Sequence, residues 1–405
     1  MFASLLLFVL SAGDGQVSGA PWGRHVIDDT SRGADGVRLG DLNGDGLLDI
    51  VTGWEEGGVS RAYLNPSPSG AKGNWPAVTV GRTPDVEDAV LADLDGDGRL
   101  EVVTSCEGRT RTIFVHWGPA SPERLLDAGL WRTEPLPNSR DRMMWMFVEP
   151  ADIDADGRLD LIAGGKGPEA AIGWFRSPED PRQLDRWEWN SIGPAGWIMS
   201  LEAIDIDGDG DLDILTTDRK GSLRGCHWLE NPGPSAARSE RWTNHFIGGR
   251  DHEIMFLSLG RLDGDDLEDI AAATRDAGLL IFLRNSGRQP HWTEVPLAIP
   301  NGIGTGKAAA IGDIDLDGRS DLVLSCEAAE GALSGVVWLR ATDGSLDETW
   351  IARDISGPPG IKFDRLELID LDADGDLDVL ACEESEPRDG RRHGLGVIWY
   401  ENPIR

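Results

Sequence analysis

Asp205-Ile206-Asp207-Gly208-Asp209-Gly210-Asp211-Leu212-Asp213 runs straight into Ile-Leu-Thr-Thr. Carboxylates stand at positions 1, 3, 5 and 9 of this stretch and converge on one point if the chain turns sharply. Glycine at position 6 permits the turn, because it takes φ > 0 without a Cβ penalty. Position 7 then offers its backbone carbonyl. Hard oxygen donors in this order are the set Ca²⁺ prefers, and they match the first half of an EF-hand loop. The flank differs. An EF-hand loop ends on a Glu at position 12 and enters a helix, whereas here position 9 opens an aliphatic, β-branched run that reads as a buried strand. The unit is therefore a hairpin whose turn is built for a cation.

The same loop recurs six more times. Intact copies place Asp41, Asn43, Asp45 and Asp49; Asp93, Asp95, Asp97 and Glu101; and Asp152, Asp154, Asp156 and Asp160 at the four ligand positions. Asp205, Asp207, Asp209 and Asp213 follow, then Asp313, Asp315, Asp317 and Asp321, and last Asp370, Asp372, Asp374 and Asp378. The fifth copy is damaged: Arg261 replaces the first carboxylate and Asp266 the turn glycine. Carboxylates crowded in this way repel one another unless a cation lies between them. The expectation is up to six structural Ca²⁺, with none in the fifth loop, where Arg261 would pair with Asp263, Asp265 or Asp269.

Two further signals keep the same period. A Trp is followed five positions on by an aliphatic residue, as in Trp22 and Ile27, Trp75 and Val80, and Trp187 and Ile192. A second aromatic strand follows each loop, ending with Val-Ile-Trp399-Tyr-Glu-Asn-Pro. Each unit thus holds about four short strands and no helical periodicity, and it cannot bury its faces alone. Four-stranded sheets arranged radially predict an all-β, seven-bladed β-propeller. The chain opens on a spare outer strand (Trp22 to Ile27) and stops one strand short, so the closing blade is mixed from both termini. Residues 21–405 form this single domain.

These loops and their strand flanks resemble FG-GAP/VCBS-type repeats, the family that includes the Ca²⁺-bearing propeller of integrin α-subunits. The resemblance covers residues 21–405 and implies seven blades, Ca²⁺ in the hairpin loops of one face, and ligand binding usually on the other. It implies no single activity, since members include adhesion modules, lectin-like proteins and some polysaccharide lyases.

The other face receives the loops after each second strand. Six residues beyond position 9 stand Glu55, Glu107, Lys166, Arg219, Arg275, Glu327 and Glu384, with Glu383 as the alternative in the last blade. Blades 3 to 5 are cationic there and blades 6, 7, 1 and 2 anionic, a bipolar ring suited to a ligand with an anionic group. Asp141, Arg142, Trp197, Lys220, His252, Lys307, Lys362 and Asp364 fall near the same mouth. Trp54, Trp145 and Trp197 lie outside the strand-Trp register and could stack on sugar rings. His393 lies in a long charged loop. The ligand-binding set is Glu107, Arg142, Lys166, Arg219, Lys220, His252, Arg275 and Glu327, and no catalytic residue is assigned. The expected function is a binding module for a glycan or protein. The alternative is a carbohydrate-active, lyase-like enzyme, with Arg142, Arg219 or Lys220 neutralising a uronate and His252 taking the proton.

Composition limits the partners. The 71 Asp and Glu against 38 Lys and Arg leave a formal charge of −33, which argues against nucleic acid and anionic membrane surfaces. Residues 1–12, MFASLLLFVLSA, are too short to span a bilayer, and 1–20 are expected to be a signal peptide, which places the protein outside the cytoplasm. The four Cys in 405 residues make no disulfide scaffold, and buried free thiols are expected.

Overall fold

The computed structural model describes residues 16–276, 278–286, 290–297, 300–341, 350–384 and 394–405. Seven four-stranded antiparallel sheets stand in a ring. Blade 1 runs outward through Ala34–Gly40, Asp49–Trp54, Val59–Tyr63 and Ala77–Arg82, and the next five blades repeat that order. The seventh holds Phe363–Ile369, Asp378–Glu383 and Gly396–Glu401, and takes Gly23–Asp28 as its outermost strand. Gly23 pairs with Glu401 and Val26 with Ile398, so the predicted mixed blade closes the ring. Most of the expected leader, and His393, lie outside the described residues. From residue 16 the chain is already attached: Val17 N–H donates to Asn301 O (3.3 Å) and Ser18 N–H to Ala352 O (3.2 Å).

The second strand of every blade is buried along its whole length, apart from half-buried Lys166 at the end of blade 3, which is why these segments read as unbroken aliphatic runs. Each opens on the position 9 acid. The strand-register Trp side chains brace the turns ahead of the outer strands: Nε1 of Trp75, Trp131, Trp187 and Trp242 donates to a carbonyl four to six residues upstream, at 2.8 to 3.0 Å. All four cysteines are buried free thiols.

Register shifts recur where the innermost strand of each blade meets its second strand. The shifts fall between Asp35 and Arg38, Val86 and Asp88, Trp145 and Phe147, Ile198 and Ser200, Ile254 and Leu257, Gly306 and Ala308, and Phe363 and Leu366. A bulge leaves a residue out of the ladder and re-aims it. Here Glu87, Met146, Met199, Phe256, Lys307 and Asp364 are the residues released, and all six line the axial channel at one end.

Candidate functional site

The acidic loops lie between first and second strands, all on one face. In blade 1 the position 1 carboxylate folds the turn around itself, accepting Asp45 N–H (3.0 Å) and Gly46 N–H (2.9 Å). The position 9 carboxylate accepts Leu42 N–H and, from beyond the third strand, Asn65 N–H, both at 2.8 Å. The turn needs left-handed backbone at positions 4 and 6. Gly44 and Gly46 supply it at φ 75° and 86°, while Ala155, Leu316 and Ala373 adopt it at position 4 despite their side chains.

Three observations fit these loops to Ca²⁺. One oxygen from each of Asp93, Asp95 and Glu101 lies within 4.8 Å of the others, and the same holds for Asp152, Asp154 and Asp160, and for Asp205, Asp207 and Asp213. Oδ1 of Asp93, Asp154, Asp315 and Asp372 is buried with no hydrogen-bond donor. Burial pushes the position 9 acids up, to about 6 in Asp49 and Asp321, about 7 in Asp160, Asp213 and Asp378, and about 8 in Glu101, with neighbouring carboxylates adding to the rise. The four ligand-position side chains of each intact loop would hold the ion.

The loops are also tied to their neighbours. Asn231 Nδ2 of blade 4 donates to Ile153 O in the blade 3 loop (3.1 Å), and Asn402 Nδ2 of blade 7 to Ile314 O in the blade 6 loop (2.9 Å). In blade 5 the turn survives without its glycine, Asp266 taking φ 68°. Arg261 pairs with Asp266 at 3.0 Å and not with the ligand-position acids named from the sequence. Both side chains are exposed, so the guanidinium swings outward to the nearest carboxylate that is not already bonded to backbone.

At the opposite mouth lies a cavity of about 240 Å³. Six of the seven residues counted from position 9 line it: Glu55, Glu107, Lys166, Arg219, Glu327 and Glu384. The seventh, Arg275, stands at the rim on Glu327 at 2.5 Å. The count holds in the last blade too. Glu384 faces the cavity, while Glu383 turns back to accept the Ile361, Lys362 and Leu395 N–H groups. Below this tier sit the bulge residues, Met146, Met199 and Phe256 from blades 3 to 5 and Glu87, Lys307 and Asp364 from blades 2, 6 and 7, with Asp35 from blade 1.

The cations are not free. Lys166 pairs with Glu107 and with Glu87 (3.3 Å), Arg219 with Glu253 (2.9 Å), Lys307 with Asp364 (3.4 Å), and Lys362 with Glu384 (2.5 Å). Trp197 carries three of the predicted cations on its ring: Arg219 at 4.4 Å, Lys166 and Lys220 at 4.6 Å. Seven carboxyl groups line the cavity against four cations. Burial and mutual repulsion raise the acids, Glu55 to about 7 and Asp35 well above its ordinary value. Asp364 stays low, because Lys307 and a hydrogen bond from Asp35 outweigh its burial.

A family model described as FG-GAP-like repeat matches residues 41–104, 139–216 and 261–324, just over half of the chain. The chain belongs to the FG-GAP-like repeat family. Two solved structures share the fold of this FG-GAP propeller. One is a chain of a crystal structure of BBS1N in complex with ARL6DN, soaked with mercury: TM-score 0.50, 12% identity, covering 95% of this chain and 97% of that one. The other is the same complex soaked with lead, with TM-score 0.53 and 12% identity over 96% and 99%. At this identity the likeness concerns the fold alone. No curated protein matches the chain.

Of the ligand residues expected in this FG-GAP propeller, Glu107, Lys166, Arg219 and Glu327 line the cavity and Arg275 and Lys220 flank it. Arg142 lies elsewhere, on Asn138 O (3.2 Å) and over Trp189. His252 is outside the lining, 3.5 Å from Asp276. Trp54 and Trp145 are fully buried, with Nε1 bonded to Tyr63 OH and Ser139 O, so neither offers a face to a sugar. Asp35, Glu87, Met146, Met199 and Phe256 were missed. Their one sequence signal was position just inside an innermost strand, and for all but Asp35, which stays paired with Gly53, bulges rather than alternation aim them inward.

Proposed function

We propose that this FG-GAP propeller is a Ca²⁺-stabilised binding module that works outside the cytoplasm and holds a protein ligand at the axial mouth opposite its acidic loops. The observation that carries this reading is convergence: side chains from all seven blades meet around one cavity, in two tiers. A concave site where polar groups converge beside an apolar wall, here Met146, Met199 and Phe256, is what a binding site requires. The Ca²⁺ loops act structurally, on the other face. An extracytoplasmic setting suits them, because weak Ca²⁺ sites fill at millimolar concentration, and the apolar run at residues 1–12 supports export.

A protein ligand is favoured over a glycan because two of the three candidate stacking Trp are buried and the third is covered by cations. The lyase reading loses its base, since His252 stands outside the cavity. Arrays of peptides and of glycans, probed with Ca²⁺-loaded protein and with its Glu55→Arg variant, test the proposal. Peptide binding lost in the variant, at unchanged melting temperature, is expected. Binding that the variant retains would move the site off the mouth.

A further inference from the structure

Each lysine and arginine that lines the cavity has an acid beside it, yet among the described residues neither Asp35 nor Glu55 has an ion pair. Asp35 is only 7% exposed, and its carboxyl shares a hydrogen bond with another carboxyl, Asp364. One oxygen from each of Asp35, Glu55 and Glu87 lies within 4.8 Å of the others. Burying a carboxyl among carboxyls is costly unless a positive charge reaches it. Across the cavity the lower tier changes character, because Met146, Met199 and Phe256 offer a flexible apolar surface. Acids on one side and methionines on the other make an amphiphilic pocket. A side chain with a methylene stem and a charged tip can satisfy both halves.

We propose that the mouth receives a lysine side chain of a protein partner, its ammonium among Asp35, Glu55 and Glu87 and its methylene stem over Met146, Met199 and Phe256. This rests on the reading of the mouth as the binding site and specifies what it binds. It reverses the charge expected from the sequence, where blades 3 to 5 suggested an anionic ligand, because those cations are engaged by acids already in place. A lone divalent ion suits the pocket less well. The cavity, at about 240 Å³, has room for a whole side chain, and a bare ion would leave the Met146, Met199 and Phe256 side of it unfilled. The acidic surface left by a formal charge of −33 also steers a basic partner toward the chain.

The test uses the Ca²⁺-saturated full chain. Peptides selected on a random array are resynthesised with each lysine kept, acetylated, or replaced by norleucine, which preserves the stem and removes the charge. Titration calorimetry then compares them on wild-type protein and on Glu55→Gln. The expected result is at least a tenfold loss for acetylation, for norleucine and for Glu55→Gln, with melting temperature unchanged. Selected peptides that are acidic, or indifferent to acetylation, would overturn the lysine assignment while keeping the mouth as a binding site. Tighter binding of cadaverine than of any peptide, lost in Glu55→Gln, would overturn it in favour of a small cation. Failure of every peptide to bind would overturn the protein-binding reading as well.

Discussion

His25 and Trp399 pack against each other across the seam of the ring, ring centroids 4.5 Å apart and planes tilted by 31°, with His25 Nε2 2.8 Å from Glu401 Oε2. One residue comes from the first strand and the other from the last, so this contact holds the two ends of the chain together. Trp399 is fully buried, and its Nε1 reaches Ala71 O in blade 1 at 3.1 Å. Trp399→Ala therefore removes a core indole and a link between blades. Urea unfolding should show a loss of about 3–5 kcal/mol. A loss under about 1 kcal/mol would mean that the seam contributes little to closure.

Chelation should lower the melting temperature substantially and Ca²⁺ should restore it, since an ion that binds only the folded chain stabilises by mass action. Native mass spectrometry should find no more than six ions. Because blade 5 keeps its turn, with Gly264 at φ 80° and Asp266 at φ 68°, the double change Arg261→Asp and Asp266→Gly should add one. An unchanged count would show that the fifth loop lacks more than its side chains.

The position 9 acids give the chelated protein a signature in pH. Their folded pKa values, about 6 to about 8, exceed the roughly 4 of an unfolded carboxyl, so the folded chain binds more protons. Their contribution is fully present below about 4 and is lost as pH rises through the folded values. Metal-free protein should thus melt higher at pH 5 than at pH 8. Ca²⁺ needs the ionised acids, so the melting shift it produces should grow over the same interval. Asp160→Asn should flatten both trends in part, and equal melting temperatures at the two pH values without metal would contradict the burial argument.

Much of this architecture was legible in the sequence because acidic loops and buried second strands both leave short-range patterns. The loops from Asp41 to Asp378, the blade count and the strand borrowed from Gly23–Asp28 all follow from spacing. Counting from position 9 also found the upper tier of the mouth, since those residues follow strands of nearly constant length. Of the lower tier, Lys307 and Asp364 were placed near the mouth, while Asp35, Glu87, Met146, Met199 and Phe256 were hidden. Glu87 and Met199 occupy bulges, and a bulge shifts which face a residue sees without changing local composition. Pairing was hidden as well. Lys166 belongs to blade 3 and its partners Glu87 and Glu107 to blade 2, so the cationic arc seen in one dimension becomes ion pairs across blades.

Lys307 shows how strongly the mouth depends on such pairs. It is 8% exposed, and Asp364, Glu384, Asp35 and Glu327 raise its pKa although burial opposes them. Lys307→Met strands Asp364 without its ammonium, while Glu327 keeps Arg275, and should cost about 3–5 kcal/mol. Adding Asp364→Leu should recover part of that loss, because the stranded charge goes with it. A double variant no better than the single one would show that packing, not charge, governs the site.

The central claim is that ligand is held at the mouth and metal at the other face. Hydrogen exchange on the Ca²⁺-loaded chain, with and without the peptide chosen on the array, tests it most directly. Protection should gather at residues 53–57, 86–88, 362–364 and 383–384, with the acidic loops unchanged by the peptide. Protection concentrated on residues 41–49, 152–160 or 205–213, with none at the mouth, would contradict the account.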